Sequence, residues 1–274
     1  MKNGINPLSI TDISKKSKMS AEEVSAFLEL LKRSMEPFSK RFSVNENGIT
    51  RYYAVERRGI GILKTEHGKL WQYNFAIDDQ WEKYSVIVKA GLDKNLLVPV
   101  FKNKDRLVLR TDSGCETGQV FGDLTCECHD QLHLALKTFE EVGEGMLINI
   151  PRQDGRGMGL TFKLATLWIQ DVLDVNTVES ASLLAPSGAI DIRTYSGVIC
   201  ILKFFGIPTT CQVNLATNNP KKAEVFAENG YTVTDYTSIV IEPNEHTKAH
   251  LKAKQEHLGH KGLVKKEGDK DENE

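Results

Sequence analysis

Hydrophobic and polar positions follow two different periods along the chain. Residues 20–34 predict a helix, because Ser20 and Glu23 form a capping box and the apolar positions that follow fall on one helical face. From about Tyr52 to Leu109, short β-rich stretches such as 84–89 alternate with turns that contain Gly or Asp. This part of the chain therefore predicts an antiparallel sheet or a small barrel.

Beyond Cys128 the apolar positions take a helical period, and helices then alternate with buried strands. Asn219 is placed to cap a further helix with Pro220 at its first position. The predicted segments are, in order, a helix that ends at Gly143, a strand at 146–150, a glycine-rich loop at 151–159, a helix from about 161 to 172 and a strand at 211–216.

The predicted fold class is α/β (α+β), a mixed sheet with a β-rich N-terminal part and flanking helices. Residues 1–50 are expected to form an N-terminal helical extension, 51–262 one compact domain and 263–274 a charged, disordered tail. No internal repeat or Pro-rich linker separates the sheet region from the α/β region.

Composition narrows the function classes. Of 274 residues, 40% are hydrophobic, and the apolar runs fall well short of a membrane span, so we expect a globular protein of the cytoplasm. A net charge of -2 gives no general attraction to nucleic acid. Five cysteines, two of them only one residue apart, favour thiol or metal chemistry over a disulfide framework, and Cys200 and Cys211 are expected to be packed.

Three of the cysteines, Cys115, Cys126 and Cys128, lie close together in the sequence. If the stretch around the last two is extended, both thiols point the same way, and nearby glycine turns let Cys115 fold back onto them. One zinc ion could then take three thiolates and keep a fourth position for water, as a catalytic site requires. The alternative is that these are small buried residues, and His129 and His133 could compete as ligands.

Two loop-to-helix junctions offer anion-binding chemistry. The loop 152–159 places Asp154 and Arg156 before a helix N-terminus, where backbone N–H groups favour a phosphorylated ligand. Lys222 lies in the first turn of the later helix, where a cation disfavours the helix dipole unless an anion compensates it. The alternatives are a tight turn for the glycines and a solvated lysine for position 222.

Asp191 and Arg193 are two residues apart on one side of an extended segment, just before an apolar helix. Such a pair could relay protons and bind phosphate. The alternative is a surface ion pair of little energetic value.

Four motifs stand in a fixed order: Cys-x10-Cys-x-Cys at 115–128, Arg-Gln-Asp-Gly-Arg-x-x-Gly-Leu at 152–160, Asp-x-Arg at 191–193 and Thr-Asn-Asn-Pro-Lys-Lys at 217–222. Together they resemble the GTP cyclohydrolase II family, the zinc enzymes that begin riboflavin synthesis. The resemblance covers about residues 55–260, including 244–246 and 259–260 near the C-terminus. It implies a cytoplasmic homodimer that hydrolyses C–N bonds to open the imidazole ring of GTP, with or without release of formate and pyrophosphate.

The resemblance also implies roles for individual residues. One zinc ion per chain would be held by Cys115, Cys126 and Cys128, and Mg²⁺ is left open as a companion of the substrate phosphates. Asp191 would be the proton acceptor and Arg193 the residue at the α-phosphate. The nucleotide site would be lined by Arg110, Ser113, Gln131, Asp154, Gly155, Arg156, Thr177, Thr217 and Lys222.

Departures from the family pattern keep alternatives open. Leu167 stands where the family has a tyrosine, and it can neither donate nor accept a proton, so the product is expected to retain its formyl group. Asp154 replaces a glutamate that reads guanine in the family. The sequence around 112–119 resembles a divergent branch of the family associated with uracil catabolism, which suggests a uridine nucleotide (UMP or UTP) as the alternative substrate. A second alternative is a catalytically impaired nucleotide-binding regulator. A DNA-binding role for the first helix is opposed by its acidic residues, Glu22, Glu23 and Glu29.

Overall fold

An eight-stranded mixed sheet organises the molecule. The structure, a computed structural model, describes residues 9–78, 83–185, 191–244 and 247–258. The strand order is β1-β2-β3-β4-β8-β7-β9-β10, and a separate two-stranded sheet is formed by β5 and β6. The strands are β1 Phe38–Glu46, β2 Ile49–Thr65, β3 Gly68–Ile77, β4 Tyr84–Lys89, β5 Gly91–Asp93, β6 Val98–Val100, β7 Arg106–Ser113, β8 Gly145–Ile150, β9 Gln212–Ala216 and β10 Val233–Thr237.

The two halves of the sheet differ in strand direction. Strands β1 to β4 pair antiparallel through short connections, and β4 pairs antiparallel with β8. Strands β8, β7, β9 and β10 are parallel neighbours. Parallel neighbours need long crossover connections, and these are supplied by the helices that lie between the strands in the sequence. The predicted mixed α/β class, with a β-rich N-terminal part, is confirmed.

Helices flank the sheet in the described part of the chain. Two 3-10 turns, Asp154–Gly157 and Pro220–Ala223, begin where the glycine-rich loop and the Asn-Pro segment were predicted. The helices are α1 Ile10–Ser17, α2 Ala21–Met35, α3 Glu116–Gln119, α4 Cys128–Val142, α5 Leu160–Leu173, α6 Thr177–Leu184, α7 Ser196–Phe205, α8 Glu224–Glu228 and α9 Lys248–Leu258.

The N-terminal region contains more than the one predicted helix. The capping box of Ser20 and Glu23 begins α2 as predicted, and Ser9 and Asp12 form a second one at α1. Residues 38–46, which the predicted helical extension includes, instead form β1, because their backbone pairs with β2 from Phe38 to Glu46, although only Val44 of the strand is buried. The predicted tail at 263–274 lies outside the described residues.

The core lies on both faces of the sheet. On one face the residues of α7 from Ser196 to Leu202 are all buried, and they pack against strand residues such as Val86, Ile148 and Leu215. On the other face α4 packs through Ala135, Leu136 and Phe139. Cys200 and Cys211 are buried in the first cluster, as predicted. In the described ranges the structure contains no helix with the length and apolar character needed to cross a membrane.

Candidate active site and metal centre

The candidate site lies where three parallel strands end. Strands β7, β8 and β9 end at Ser113, Ile150 and Ala216, and the three motif-bearing loops follow directly. In sheets with parallel strands, ligands bind in the crevice outside the carboxyl ends of the strands. One cavity at this edge is lined by residues of all three loops, together with α4, α5, α6 and α9.

The three motif cysteines converge on this cavity. Their sulfurs lie within 4.8 Å of one another, with 3.7 Å between Cys115 Sγ and Cys126 Sγ. A tetrahedral zinc site with Zn–S bonds of about 2.3 Å has sulfur–sulfur separations of about 3.8 Å. The three thiols therefore fit a metal ion of this kind. Cys128 is the first residue of α4, so a helix start and not an extended stretch brings it beside Cys126.

Neither histidine competes for that cluster. Within the described residues, the side chains grouped closely enough to share a metal there are the three cysteines. His133 lies instead with Glu66 and His67, in a separate cluster. The His129 ring contacts the His133 ring, with centroids 4.5 Å apart and the planes tilted by 34°. The three-cysteine cluster thus has the ligand count expected of an open site.

Lys163 of α5 is a further charged neighbour of the cysteines, and it was not predicted. Its Nζ lies 2.8 Å from Cys115 Sγ and 3.9 Å from Asp123 Oδ2. The pKa of Cys115 is lowered by hydrogen bonds from the Cys126 and Cys128 thiols and further by the Lys163 ammonium. Burial alone would lower the pKa of Lys163, but the negative charge shared by the neighbouring cysteines reverses this and raises it. The sequence signal was a lysine in the first turn after the glycine-rich loop, the reasoning already applied to Lys222.

Arg110 is buried in the cavity wall, only 5% exposed. Its guanidinium donates to Ala216 O at 3.2 Å, to Gln131 Oε1 at 3.1 Å and to Asp112 Oδ1 at 3.2 Å. The arginine therefore links β7 to the end of β9 and to α4 and fixes the cavity wall.

Lys222 is also buried, so the alternative of a solvated lysine is wrong. Its Nζ donates to Thr111 O at 2.6 Å. Burial lowers its pKa well below the usual lysine value, and the charges of Arg110 and Arg193 add to this. Thr217 is buried beside it and accepts a hydrogen bond from the Asn219 N–H at 3.1 Å. A buried lysine near two arginines is a strong position for an anionic ligand.

The glycine-rich loop folds back over the cavity. Gly155 and Arg156 both take left-handed backbone conformations, with φ of 55° and 59°. Arg156 Nη2 donates to both Thr177 O and Thr177 Oγ1 at 3.0 Å, which ties the loop to the start of α6. Burial and then the charge of Arg193 lower the pKa of Arg156 to about 10. Asp154 accepts a hydrogen bond from the Glu116 N–H at 3.0 Å, so the loop also contacts the cysteine segment.

Asp191 and Arg193 form an ion pair in which Asp191 is an exposed residue with a partly covered side chain and Arg193 is half-buried. Arg193 Nε donates to Asp191 Oδ1 at 2.9 Å, and Arg193 Nη2 donates to Asp191 Oδ2. The side chains are 26% and 13% exposed for Asp191 and Arg193 respectively. Burial would raise the pKa of Asp191, but the hydrogen bonds from Arg193 outweigh it and lower the pKa. Arg193 lines the cavity and reaches Ser113 Oγ at 3.5 Å, whereas Asp191 stands behind it.

Further lining residues gave no signal in the sequence. Lys254 of α9 lines the cavity, and its Nζ lies 2.7 Å from Oε1 of the buried Glu127. No motif indicated this contact, because the two residues are 127 positions apart in the sequence. Among the described residues, the buried atoms of lining side chains without a hydrogen-bond partner include Arg110 Nε, Arg156 Nη1 and Gln153 Oε1. Unpaired buried polar atoms are rare, and here they indicate a polar ligand.

The cavity therefore brings together every residue predicted for the site except Asp191, which touches it through Arg193. The lining includes Arg110, Ser113, Cys115, Cys126, Cys128, Gln131, Asp154, Gly155, Arg156, Thr177, Arg193, Thr217 and Lys222. Leu167 lies in the same wall, on α5.

Comparison with known proteins gives relatives of two lengths. The chain is 35% identical over 208 residues to the riboflavin biosynthesis protein RibBA of Phocaeicola vulgatus, covering 76% of this chain and 48% of that protein. It is 35% identical over 198 residues to the GTP cyclohydrolase-2 of Picrophilus torridus, covering 72% of this chain and 94% of the relative. The GTP cyclohydrolase-2 of Shewanella sediminis is 31% identical over 198 residues, with 72% and 89% covered. The chain thus spans about half the length of its RibBA relatives.

The family model for GTP cyclohydrolase II matches residues 62–238. That range begins in β2 and ends just after β10, so it contains the three strand ends, the cysteine cluster and every lining residue of the cavity except Lys254. Together with relatives that are matched over nearly their full length, it shows that the chain belongs to the GTP cyclohydrolase II family.

Proposed function

We propose that this protein is a zinc-dependent cyclohydrolase that opens the imidazole ring of GTP. The observation that carries the proposal is one cavity in which a three-cysteine cluster stands beside four buried or half-buried cations. Ring opening needs an activated water at the base and positive charge at the phosphates, and these are the two chemistries that the cavity combines. The cations are Arg110, Arg156, Arg193 and Lys222, and a bound phosphate would stabilise the charged form of Lys222 that burial disfavours.

The base is bound at the cysteine end of the cavity in this proposal. Cys115, Cys126 and Cys128 would hold the zinc ion, which would act there as a Lewis acid and lower the pKa of a bound water. Asp154, whose carboxylate is anchored to the Glu116 N–H of the cysteine segment, accepts hydrogen bonds from the N–H groups of guanine. Asp191 is assigned as the proton acceptor from its place in the Asp-x-Arg motif; Arg193 lowers its pKa and keeps it ionised, which leaves the carboxylate free to accept a proton but makes it a weak base.

The phosphates are bound by the cations on the other loops. Lys222, which follows β9, and Arg193, which precedes α7, provide positive charge. Arg156 adds a guanidinium whose Nη1 is unpaired among the described residues. Arg193 acts as a charge clamp on the α-phosphate, since an arginine that is always charged is a poor nucleophile. Mg²⁺ accompanies the phosphates when the substrate is a triphosphate.

The expected product keeps its formyl group. Leu167 lines the cavity on α5, where the family has a tyrosine, and its side chain has no atom that moves a proton. Hydrolysis adds one water and breaks one ring C–N bond, which leaves a formamidopyrimidine nucleotide. Release of formate would need a second hydrolysis that this position does not assist.

We also propose a homodimer. Leu164, Trp168 and Val172 form a stripe along α5 at spacings of four residues, and they are 52%, 74% and 65% exposed. A row of large apolar side chains on one helix is typical of an interface. Sedimentation should show a dimer that Trp168→Glu dissociates, while the equally exposed Leu96→Glu, placed elsewhere, leaves it intact. A wild-type monomer at micromolar concentration would contradict the proposal.

The test of the activity uses zinc-loaded protein incubated separately with GTP, UTP and UMP. Loss of base absorbance and the mass of the products are followed. We expect GTP alone to react and to gain one water. Cys126→Ser should abolish the reaction, whereas Cys211→Ala, which removes a thiol outside the cavity, should retain it.

The other outcomes are decisive as well. Opening of UTP or UMP with GTP untouched would replace the substrate by a uridine nucleotide. If none of the three nucleotides reacts but GTP binds tightly, the chain is a nucleotide-binding regulator and the proposed activity is wrong.

A further inference from the structure

We propose that Glu66, His67 and His133 form a second site for a divalent transition-metal cation of the zinc class. Glu66 and His67 form the tip of the hairpin between β2 and β3, and His133 projects from α4. One nitrogen of each histidine and one carboxylate oxygen of Glu66 lie within 4.8 Å of one another. Imidazole and carboxylate are the ligands that such cations share in proteins.

The spacing of the three ligand atoms matches tetrahedral coordination. His67 Nε2 lies 3.2 Å from His133 Nδ1, Glu66 Oε1 lies 2.9 Å from the same Nδ1, and Glu66 Oε1 lies 3.6 Å from His67 Nε2. Zinc with bonds of about 2.0–2.1 Å to nitrogen or oxygen separates neighbouring ligands by about 3.3 Å. The three distances bracket that value, so a cation fits between the ligands with small adjustments.

The protons of the cluster also favour a cation. A neutral imidazole carries one proton for its two nitrogens, and an ionised carboxylate only accepts. His133 Nδ1 faces both Glu66 Oε1 and His67 Nε2, and a single Nδ1 proton can be directed well at only one of them. A cation at the centre receives a lone pair from all three atoms at once. A bound cation would therefore pair all three ligand atoms, whereas a hydrogen bond from His133 Nδ1 pairs it with only one of the other two.

The hairpin tip is held in position before any metal binds. Thr65 Oγ1 accepts a hydrogen bond from the His67 N–H at 3.1 Å and donates to Gly68 O at 3.1 Å. Gly68 closes the turn with φ of 87°, a conformation that favours glycine. On the other side, His133 is carried by helix α4, and its ring contacts the tilted ring of His129. Two of the three ligands thus come from a tight turn and the third from a rigid helix, which lowers the entropic cost of assembling the site.

The cluster is separate from the cavity and open to solvent. None of its three residues is among those that line the cavity. On α4, Gln131 faces the cavity, and His133 is two residues further, about 200° around the helix. The Glu66 side chain is 69% exposed, so a cation can enter and keep water on its remaining position, while His67 is 12% and His133 37% exposed. The metal would link the hairpin tip to the helix that begins at Cys128.

Metal counting tests the site. Protein freed of metal with a chelator is dialysed against Zn²⁺ and its zinc content is measured. We expect two Zn²⁺ per wild-type chain, and one in His67→Ala and in His133→Ala. His257→Ala removes an exposed histidine of α9 and should keep two. Glu66→Gln should weaken the second site by at least about tenfold, the loss that removal of an outer partner already causes.

Titration with Co²⁺ separates this site from the cysteines. The first equivalent is expected to develop the thiolate-to-cobalt charge-transfer band, and the second should add visible absorbance without raising that band. Both histidine variants should keep the band, which also shows that they are folded. The proposal is overturned if the wild-type chain binds a single Zn²⁺ while the same preparation develops the full thiolate-to-cobalt band with Co²⁺, because that one metal then lies at the cysteines. It is also overturned if a second Zn²⁺ persists in both histidine variants or disappears in His257→Ala.

Discussion

Gly118 occupies the space between the three cysteines, and its replacement by alanine is expected to weaken metal binding without removing a ligand. A Cβ at this position would lie 2.8 Å from Cys126 Sγ, 3.3 Å from Cys128 Cβ and 3.4 Å from Cys115 Sγ. A side chain of one methyl group therefore contacts the whole cluster.

The magnitude follows from these distances. Relieving the contact with Cys126 Sγ requires a movement of roughly 0.6 Å, since about 3.4 Å is the start of ordinary contact, whereas metal–ligand distances are held to about ±0.2 Å. We expect the Kd for Zn²⁺ to rise about 10- to 100-fold, or about 1.4–2.8 kcal/mol. Gly118 lies in α3, where alanine is the better helix former by roughly 0.5–1 kcal/mol, and this gain offsets part of the overpacking cost of about 1–3 kcal/mol that the metal-free protein also bears.

The assay is competition with a chelator of known zinc affinity, together with thermal unfolding of the metal-free protein. Gly122→Ala is the matched control, since Gly122 has φ of 70° and no atom within 4 Å of its Cβ position. That variant should lose stability through backbone strain and keep its zinc affinity. If Gly118→Ala binds zinc as tightly as the wild type, the sulfurs are not packed around Gly118 as described.

Three further changes test the catalytic side of the cavity. Lys222→Met should lower kcat/KM for GTP by about 100-fold or more, since a buried charged contact is lost. Burial lowers the pKa of Lys222, so at pH values below the usual lysine pKa of 10.5 the unfolded chain binds more protons than the folded chain. The free energy of unfolding of the wild type should therefore rise with pH in a way that Lys222→Met does not share. Urea unfolding at pH 7 and pH 9 measures this difference. Leu167→Tyr should release formate from a product that otherwise keeps its formyl group, and an unchanged product mass would refute the role given to this position. Asp191→Asn should lower kcat by about 10²- to 10⁴-fold with zinc content unchanged, and a kcat near the wild-type value would remove the proton-acceptor assignment.

Local patterns predicted most of the secondary structure. The capping box at Ser20, the alternating stretch at 84–89 and the glycine stop at Gly143 each act through neighbours in the sequence, and each corresponds to an element boundary of the structure. Strand β1 was missed because its residues are mostly exposed and polar in pattern, and only pairing with β2 gives them a strand conformation.

The candidate site divides in the same way. Ordered motifs indicated which loops carry the chemistry, since thiols, glycine turns and paired charges of that kind have few uses together. The motifs could not predict how deeply each side chain is buried. The burial of Lys222 and of Asp191 depends on the segments that pack around them. Lys163 and Lys254 entered the site through helices α5 and α9, which no motif placed beside the cysteines.

The sequence by itself determined the three-cysteine motif, the two loops that we propose to bind anions and the mixed α/β class, because these depend on residue type and short-range spacing. Only the tertiary structure shows that His133 lies away from the cysteines and beside Glu66 and His67, which precede it by more than sixty positions in the sequence. It also decided the burial of the cationic side chains and the pKa changes that follow. Such effects arise from desolvation and from contacts between distant segments, and both appear only when the parallel strands bring their ends to one edge of the sheet.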